Sequence, residues 1–312
     1  MRIRLGYACM CRTLNNITTS TNYTLTSFNK EHDYDKLNKI ILSNLEALEK
    51  IIDYNIKNNI HFYRLSSKIF PLSTIKNINI EYERYKDTCQ RIGKKICKNN
   101  MRVDLHPDQF CVINSTNPNV VSNSFEIIKY HHKLLDILGL TNKTIILHIG
   151  SSAGGKKASI TRFINNFNKL NSELKESIII ENDDKVFDIG DCINISQKTN
   201  LKIVLDYHHH LCNNNDTNID HYLPTILSTW KNVTPKMHFS SPKNNTKKDK
   251  RTHNEYINSD DFIDFIERIK KYNCDIDIML EAKGKDEALF RLVRELKYKT
   301  NYKFIDETSF II

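Results

Sequence analysis

Glycine and proline are scarce in this chain, 8 and 6 residues among 312, and they never gather into the kind of run that makes a flexible linker. No apolar stretch approaches the roughly 18–20 residues that a membrane-spanning helix requires, so no membrane association is expected. The opening segment, MRIRLGYACMCRTL, passes straight into strand-like alternation and lacks the apolar core of a secretory signal. The expectation is therefore an intracellular protein. There is no CxxC pair: Cys9, Cys11, Cys89, Cys97, Cys111, Cys192, Cys212 and Cys274 follow no common spacing. In a chain of this length that argues for reduced thiols, and against a disulfide framework or a zinc ribbon. Cys9 and Cys11 are also too close together for a conventional structural zinc pair. A repeat of fixed period is absent as well, and so is a glycine-rich phosphate loop after the first strand-like run, which counts against a dinucleotide-binding open sheet.

What is present is an ordinary globular composition, 39% hydrophobic and 27% charged, which excludes disorder over most of the length. Lys and Arg outnumber Asp and Glu by 46 to 37, a formal charge of +9. A basic balance suits a partner with a negative surface, nucleic acid being the usual one. A sequence crowded with Asn, Ile and Lys (NNFNKLN at 165–171) produces such an excess by itself, so charge alone does not choose the partner.

Hydrophobic periodicity supplies the architecture. Short β-branched or apolar runs occur at 2–7, 60–65, 102–106, 144–148, 177–181, 202–206, 235–239 and 277–281. Each has the length and the continuous apolar character of a strand buried on both faces. Between them lie stretches with apolar residues at helical spacing: 35–58, 79–98, 120–138, 157–174, 187–198, 218–231, 259–272 and 284–298. In 35–58, Leu37, Ile40, Ile41, Leu45, Leu48, Ile51 and Ile52 form one stripe. Eight strands alternating with eight helices, about 39 residues per unit, predict one closed (β/α)8 barrel (a TIM barrel) occupying 1–312 as a single domain.

In such a barrel the C-terminal strand ends converge on one mouth. Strand three closes on His106, strand four on His148 and strand five on Glu181; strand six closes on Asp206, with His209 three residues further on. Strand seven carries Lys236 and His238, and strand eight ends at Glu281. A single histidine at a strand end is usually structural. Six metal-binding strand ends in phase are different, because uncompensated buried carboxylates and imidazoles would each cost several kcal/mol. Mixed imidazole and carboxylate donors suit Zn²⁺ or Mn²⁺, and one carboxylate can bridge two ions. Clustered cations lower the pKa of bound water and neutralise charge on a phosphoryl group, the logic of phosphodiester hydrolysis. A sugar isomerase uses a similar mouth, so the metal donors do not fix the substrate. His32, His61, His221 and the pair His131-His132 are read as structural or surface residues. Of His208-His209-His210, the spacing from Asp206 favours His209.

The segments FYRLSSKIFPL (62–72), DLHPDQFCVINS (104–115), LHIGSSAGGK (147–156) and IIIEND (178–183) resemble the UV damage endonuclease family. So do LDYHHH (205–210), KMHFSSPK (236–243), RTHNEYI (251–257) and MLEAKGKDEAL (279–289). The resemblance runs nearly end to end; abasic-site nucleases of the endonuclease IV type and xylose isomerases are more distant relatives. It implies a barrel that binds up to three divalent ions, preferably manganese, and incises double-stranded DNA on the 5′ side of damaged bases. Glu181 would bridge two ions, with His106 and His148 completing one and Asp206, His238 and Glu281 the other. His209, His253 and Lys236 would hold the third. In relatives this lysine is carboxylated; physically, a plain ammonium among cations is repelled, which leaves either a carbamate or a lysine that points elsewhere.

Three departures stand out. The family's lesion-probing pair is Gln-Tyr and here is Gln109-Phe110, which keeps the aromatic face and loses the hydroxyl. The histidine that relatives carry after strand two is missing from FPLSTIKN (70–77). Tyr7 matches a residue that the family uses near the lesion, but Cys11 stands where an Asn belongs. The basic stretch SPKNNTKKDKR (241–251) follows strand seven, so Lys243, Lys247, Lys248, Lys250 and Arg251 are candidates for phosphate contacts. The reading is a monomeric metal-dependent DNA repair endonuclease in which Glu181, Lys236 and His238 are catalytic. An abasic-site nuclease, a sugar isomerase and an inactive DNA-binding barrel are the alternatives.

Overall fold

The computed structural model of the chain describes residues 1–244, 246 and 249–312; Lys247 and Lys248 of the basic stretch lie outside the described residues. Strands β1 (Arg2–Ala8), β2 (Phe62–Arg64), β3 (Arg102–Asp104) and β4 (Ile145–His148) occupy the first half of the chain. The second half contributes β5 (Ile178–Glu181), β6 (Lys202–Asp206), β7 (Lys236–Phe239) and β8 (Ile276–Leu280). They pair in parallel in the order β3-β2-β1-β8-β7-β6-β5-β4. The two ends of that order meet through a parallel bridge between Leu105 and Ile145. There Leu105 N–H donates to Thr144 O at 3.0 Å and Ile146 N–H to Leu105 O at 2.9 Å. This is the α/β barrel that the periodicity predicts.

Amphipathic helices surround it. In Tyr34–Lys57, Asp33 caps the N-terminus by accepting from Lys36 N–H, and Leu37, Ile41, Leu45, Leu48, Ile51 and Ile52 are buried. Burial of a side chain of this kind contributes about 1.5–3 kcal/mol. Three expected helices are interrupted. Residues 79–98 form a 3₁₀ turn (Tyr82–Tyr85) followed by Lys86–Lys98. Residues 157–174 break where Asn171 accepts from Leu174 N–H and so caps a second helix, Ser172–Ser177. Residues 218–231 divide into Ile219–His221 and Leu223–Ser228. No helix among the described residues is long and apolar enough to cross a membrane.

Four features lie outside the periodic pattern. A short helix, Leu25–Glu31, precedes the first long one. Another, Tyr207–Cys212, starts directly at the end of β6, where Asp206 accepts from His209 N–H at 2.7 Å. Strands β9 (Lys303–Phe304) and β10 (Ser309–Ile311) form a C-terminal hairpin, and β10 runs antiparallel to the start of β1. Finally, β3 stops two residues before His106 and β8 one residue before Glu281. Both of those side chains therefore stand on the first loop residues beyond the ladder.

Because side chains alternate along a strand, every second residue enters the barrel. Two small apolar clusters, Ile146, Ile179, Val204 and Trp230 on one side and Ala8, Phe62 and Met279 on the other, are separate from the large core between strands and helices. Trp230 Nε1–H donates to Ile203 O at 2.8 Å. A Cβ on Gly6 would lie 2.3 Å from Phe62 O, so β1 and β2 approach more closely than any larger residue there permits. Below this layer the barrel floor is ionic, with Arg4 and Arg102 converging on Asp277, and a cavity of about 670 Å³ opens beside it. Above it lies the mouth.

Candidate metal centre

Glu181, at the end of β5 and 1% exposed, is the hub of the mouth. One carboxylate oxygen, Oε2, faces His106 Nε2 at 2.9 Å and His148 Nε2 at 3.9 Å. The other, Oε1, faces His238 Nδ1 at 2.9 Å and His209 Nδ1 at 3.5 Å. Around Oε1 the group widens: His238 Nδ1 is 3.3 Å from Glu281 Oε1 and 3.9 Å from Asp206 Oδ2. Two sets of donor atoms therefore share Glu181: His106, His148 and Glu181 in one, and Glu181, Asp206, His238 and Glu281 in the other. Within each set the atoms lie within 4.8 Å of one another. A carboxylate that directs one oxygen into each set has the shape of a bridging ligand.

Hydrogen-bond polarity tests whether these residues fit cations. His106 Nδ1 is 3.1 Å from Pro107 O, and a carbonyl only accepts, so Nδ1 carries the ring proton. Burial holds this imidazole below its ordinary pKa and so favours the neutral ring. Nε2 is then a lone pair pointing at Glu181 Oε2, another acceptor, at 2.9 Å. A pair at that distance is held by a proton on Nε2 or by a metal ion in its place, since ligands at right angles on a metal, with bonds of about 2.1 Å, lie about 3 Å apart. In addition Asp206 Oδ2 and His148 Nδ1 are buried without a hydrogen-bond partner among the described residues. The donor set fits divalent ions that accept mixed imidazole and carboxylate ligands.

The electrostatics agree. Burial opposes ionisation of Glu181, yet His238 and His148 hold its carboxyl well below the usual range. Burial is likewise overcome at Glu281, where Arg64 and His238 lower the pKa. His209 rises to about 9: burial lowers it, but the Asp206, Glu181 and Glu281 carboxylates outweigh that. The two carboxyl shifts report cationic neighbours, and the rise at His209 reports the three carboxylates gathered around it.

The expected third position is looser. His253 Nδ1 lies 3.8 Å from Glu281 Oε2, and its ring is 6.2 Å from that of His209. His209 Nδ1 is 3.0 Å from Asn182 O, which leaves Nε2 as its ligating nitrogen. Lys236 enters the barrel one alternation below His238 and is fully buried, with its amino group against Asp104 and 5.2 Å above the Phe62 ring. Burial pushes its pKa down to about 7 despite Asp104. Tyr7 is corrected: it is 0% exposed, and its hydroxyl donates to Asn55 Oδ1 at 2.8 Å, so it is out of a duplex's reach. Cys11, in the place of the family's Asn, is buried with its thiol 3.4 Å from Asp286 Oδ2.

At the rim, Phe110 is 69% exposed and Gln109 is exposed beside it, on the loop beyond β3. Phe110 therefore packs into no core. The basic loop leaves and returns through a bridge between Pro242 and His253, and Lys243, Lys250 and Arg251 are exposed on it. Residues that sequence reasoning passed over stand behind the donor atoms. Asn182 exchanges two hydrogen bonds with the Asp206 backbone, at 2.9 and 3.0 Å, and so locks the end of β5 to β6. Arg64, at the end of β2, donates to Glu281 Oε1 at 2.5 Å and lies 2.7 Å from His238 Nε2. Asp104 lies between Arg64 and Lys236. For Arg64 and Asp104 the signal was a charged residue at an inward-facing position of a barrel strand.

Comparison with known proteins adds an independent line. The family model of the UV-endonuclease UvdE matches residues 3–309. A UV DNA damage endonuclease of Bacillus cereus (strain B4264) is 38% identical over 303 residues, covering 95% of either chain. The crystal structure of SacUVDE superposes with a TM-score of 0.87 at 33% identity, covering 95% of this chain and 98% of that one. Endonuclease IV from Thermus thermophilus, at 12% identity and a TM-score of 0.54 over 81% of this chain and 95% of its own, shares the fold alone.

Proposed function

The chain belongs to the UvdE family of UV endonucleases, and from that premise we propose a metal-dependent DNA repair endonuclease, one domain acting as a monomer inside the cell. It incises double-stranded DNA on the 5′ side of damaged bases. The observation that supports the metal dependence is the convergence of two sets of imidazole and carboxylate donors on Glu181, with Asp206 Oδ2 and His148 Nδ1 buried and unpartnered among the described residues. His106, His148 and Glu181 hold one divalent ion, and Glu181, Asp206, His238 and Glu281 a second; His209 and His253 offer a third, looser position. Manganese suits these donors. Held by these residues, divalent ions would supply a more acidic water and charge compensation at the phosphate.

The chain's own residues do the rest. Glu181 fixes the spacing of the two positions through its two oxygens. Asn182 and the Asp206 cap keep the donors of β5 and β6 in register. Lys243, Lys250 and Arg251 track phosphates and supply sequence-independent affinity. A mouth at the bottom of a barrel rim reaches a backbone phosphate only when damaged nucleotides leave the stack. Phe110 then stacks in the gap, worth about 1–3 kcal/mol per base, while Gln109 bonds the orphaned base edges.

The test is an end-labelled duplex carrying one defined photoproduct, with manganese and with a chelator. A break immediately 5′ to the lesion, lost with chelator, is expected; an intact duplex in both defeats the reading. A matched duplex with one abasic site reports whether that lesion is a second substrate of the same mouth.

A further inference from the structure

The imidazoles around Glu181 are wired in two ways. His106 and His209 present Nδ1 to main-chain carbonyls, Pro107 O at 3.1 Å and Asn182 O at 3.0 Å, which commits Nδ1 to a proton and leaves Nε2 as the nitrogen available to a cation. His238 is reversed. Its Nε2 lies 2.7 Å from Arg64 Nη2, and a guanidinium only donates, so Nε2 accepts. The ring proton is thereby placed on Nδ1, directed at Glu181 Oε1 at 2.9 Å. Yet Nδ1 is the atom nearest to Glu181, Asp206 and Glu281, and so the one that a cation among those carboxylates would need. Arg64 also donates to Glu281 Oε1, the oxygen that faces the same nitrogen.

Resting on the metal reading above, we infer that Arg64 is a positioning residue that makes the two cation positions unequal. The His106–His148–Glu181 position takes a divalent ion with His106 already in its ligating form. The Asp206–His238–Glu281 position takes one only as Arg64 releases His238, because Nδ1 must give up its proton while Nε2 gains one and the ring stays neutral. Arg64 and the ion thus compete for one edge of His238 and one oxygen of Glu281. Two unit charges a few ångströms apart in a buried setting add to that competition. Asp104, 3.4 Å from Arg64 Nε, keeps the released guanidinium paired.

An ordinary supporting residue behaves oppositely, since its loss weakens metal binding by about 10–100-fold. The experiment is calorimetric titration of Mn²⁺, without DNA, into the full-length parent, Arg64→Gln and Arg64→Lys. The parent shows a tight and a weak class of site. In Arg64→Gln the weak class tightens by about tenfold or more, the inverse of the usual outer-ligand effect, while the tight class is unchanged. Arg64→Lys keeps the charge but cannot reach Glu281 and His238 together, so it moves the same class in the same direction by less; it decides the matter if Arg64→Gln does not fold. A weak class that is unchanged or weakened in the variants overturns the inference and leaves the metal reading standing. A parent that binds no manganese defeats both.

Discussion

At the floor of the barrel Asp277 is fully buried, and both of its oxygens are taken. Arg4 donates to them at 2.6 and 2.7 Å, and Arg102 donates to Oδ2 at 2.8 Å. At the mouth Glu181 is as deeply buried, but its nearest neighbours are imidazoles, and Asp206 beside it keeps an oxygen with no hydrogen-bond partner among the described residues. The same kinds of charged side chain enter the same barrel from the same alternation. At the floor they are satisfied by each other, which is what a structural ion pair requires. At the mouth the donors converge on shared points and leave buried polar atoms unpartnered among the described residues, which marks a candidate binding site. The cavity of about 670 Å³ lies at the floor end, away from the clustered donor atoms.

The contrast can be broken from either side. The largest effect is expected from Glu181→Gln, which removes the shared ligand of both donor sets: incision falls to background, at least one bound ion is lost by elemental analysis, and circular dichroism stays that of the parent. Full metal occupancy with normal incision would remove Glu181 from the centre. The complementary change at the floor, Asp277→Asn, leaves Arg4 and Arg102 without their anion and should cost about 3–5 kcal/mol. It is read as a lowered melting temperature with unaltered incision per folded molecule. A loss of activity without a loss of stability there would mean that the two ends are not divided as described.

Smaller effects sharpen the division at the rim. Since Phe110 is 69% exposed, replacing Gln109 and Phe110 together by Ala should leave melting temperature and metal content intact. Incision of damaged duplex should drop by roughly tenfold or more, the loss of one stacking contact. A stability loss with normal specific activity would make the pair structural. Least of all, Lys243→Gln, Lys250→Gln and Arg251→Gln should weaken binding to every duplex alike. The log–log salt slope should flatten by about 0.9 for each phosphate contact removed, and an unaltered slope would return the loop to solvent.

Much of this was legible in the sequence because two periods carry it. The apolar runs located all eight barrel strands, and the polar residues closing them located the mouth. The exceptions have local causes. Tyr207–Cys212 is too short for a helical stripe, and a cap, Asp206, creates it. The hairpin of β9 and β10 pairs with β1 from the far end of the chain, a contact between residues about as distant as the sequence allows. His106 and Glu281 sit just past their ladders, a boundary that composition cannot resolve. Lys236 and Tyr7 had the right neighbours in sequence, but one lies a layer below the mouth and the other turns into the core. Arg64 and Asp104 were overlooked because a charge inside an apolar run reads as an interruption, when alternation on the inward face (102, 104, 106) marks a ladder of interior positions.

The central claim is that the mouth's charges are compensated by divalent cations shared through Glu181. Anomalous diffraction at the manganese edge, from crystals grown with manganese, tests it most directly. The account predicts one peak between Glu181 Oε2, His106 and His148 and a second among Glu181 Oε1, Asp206, His238 and Glu281. Crystals of incision-competent protein with no peak in contact with Glu181 would contradict it.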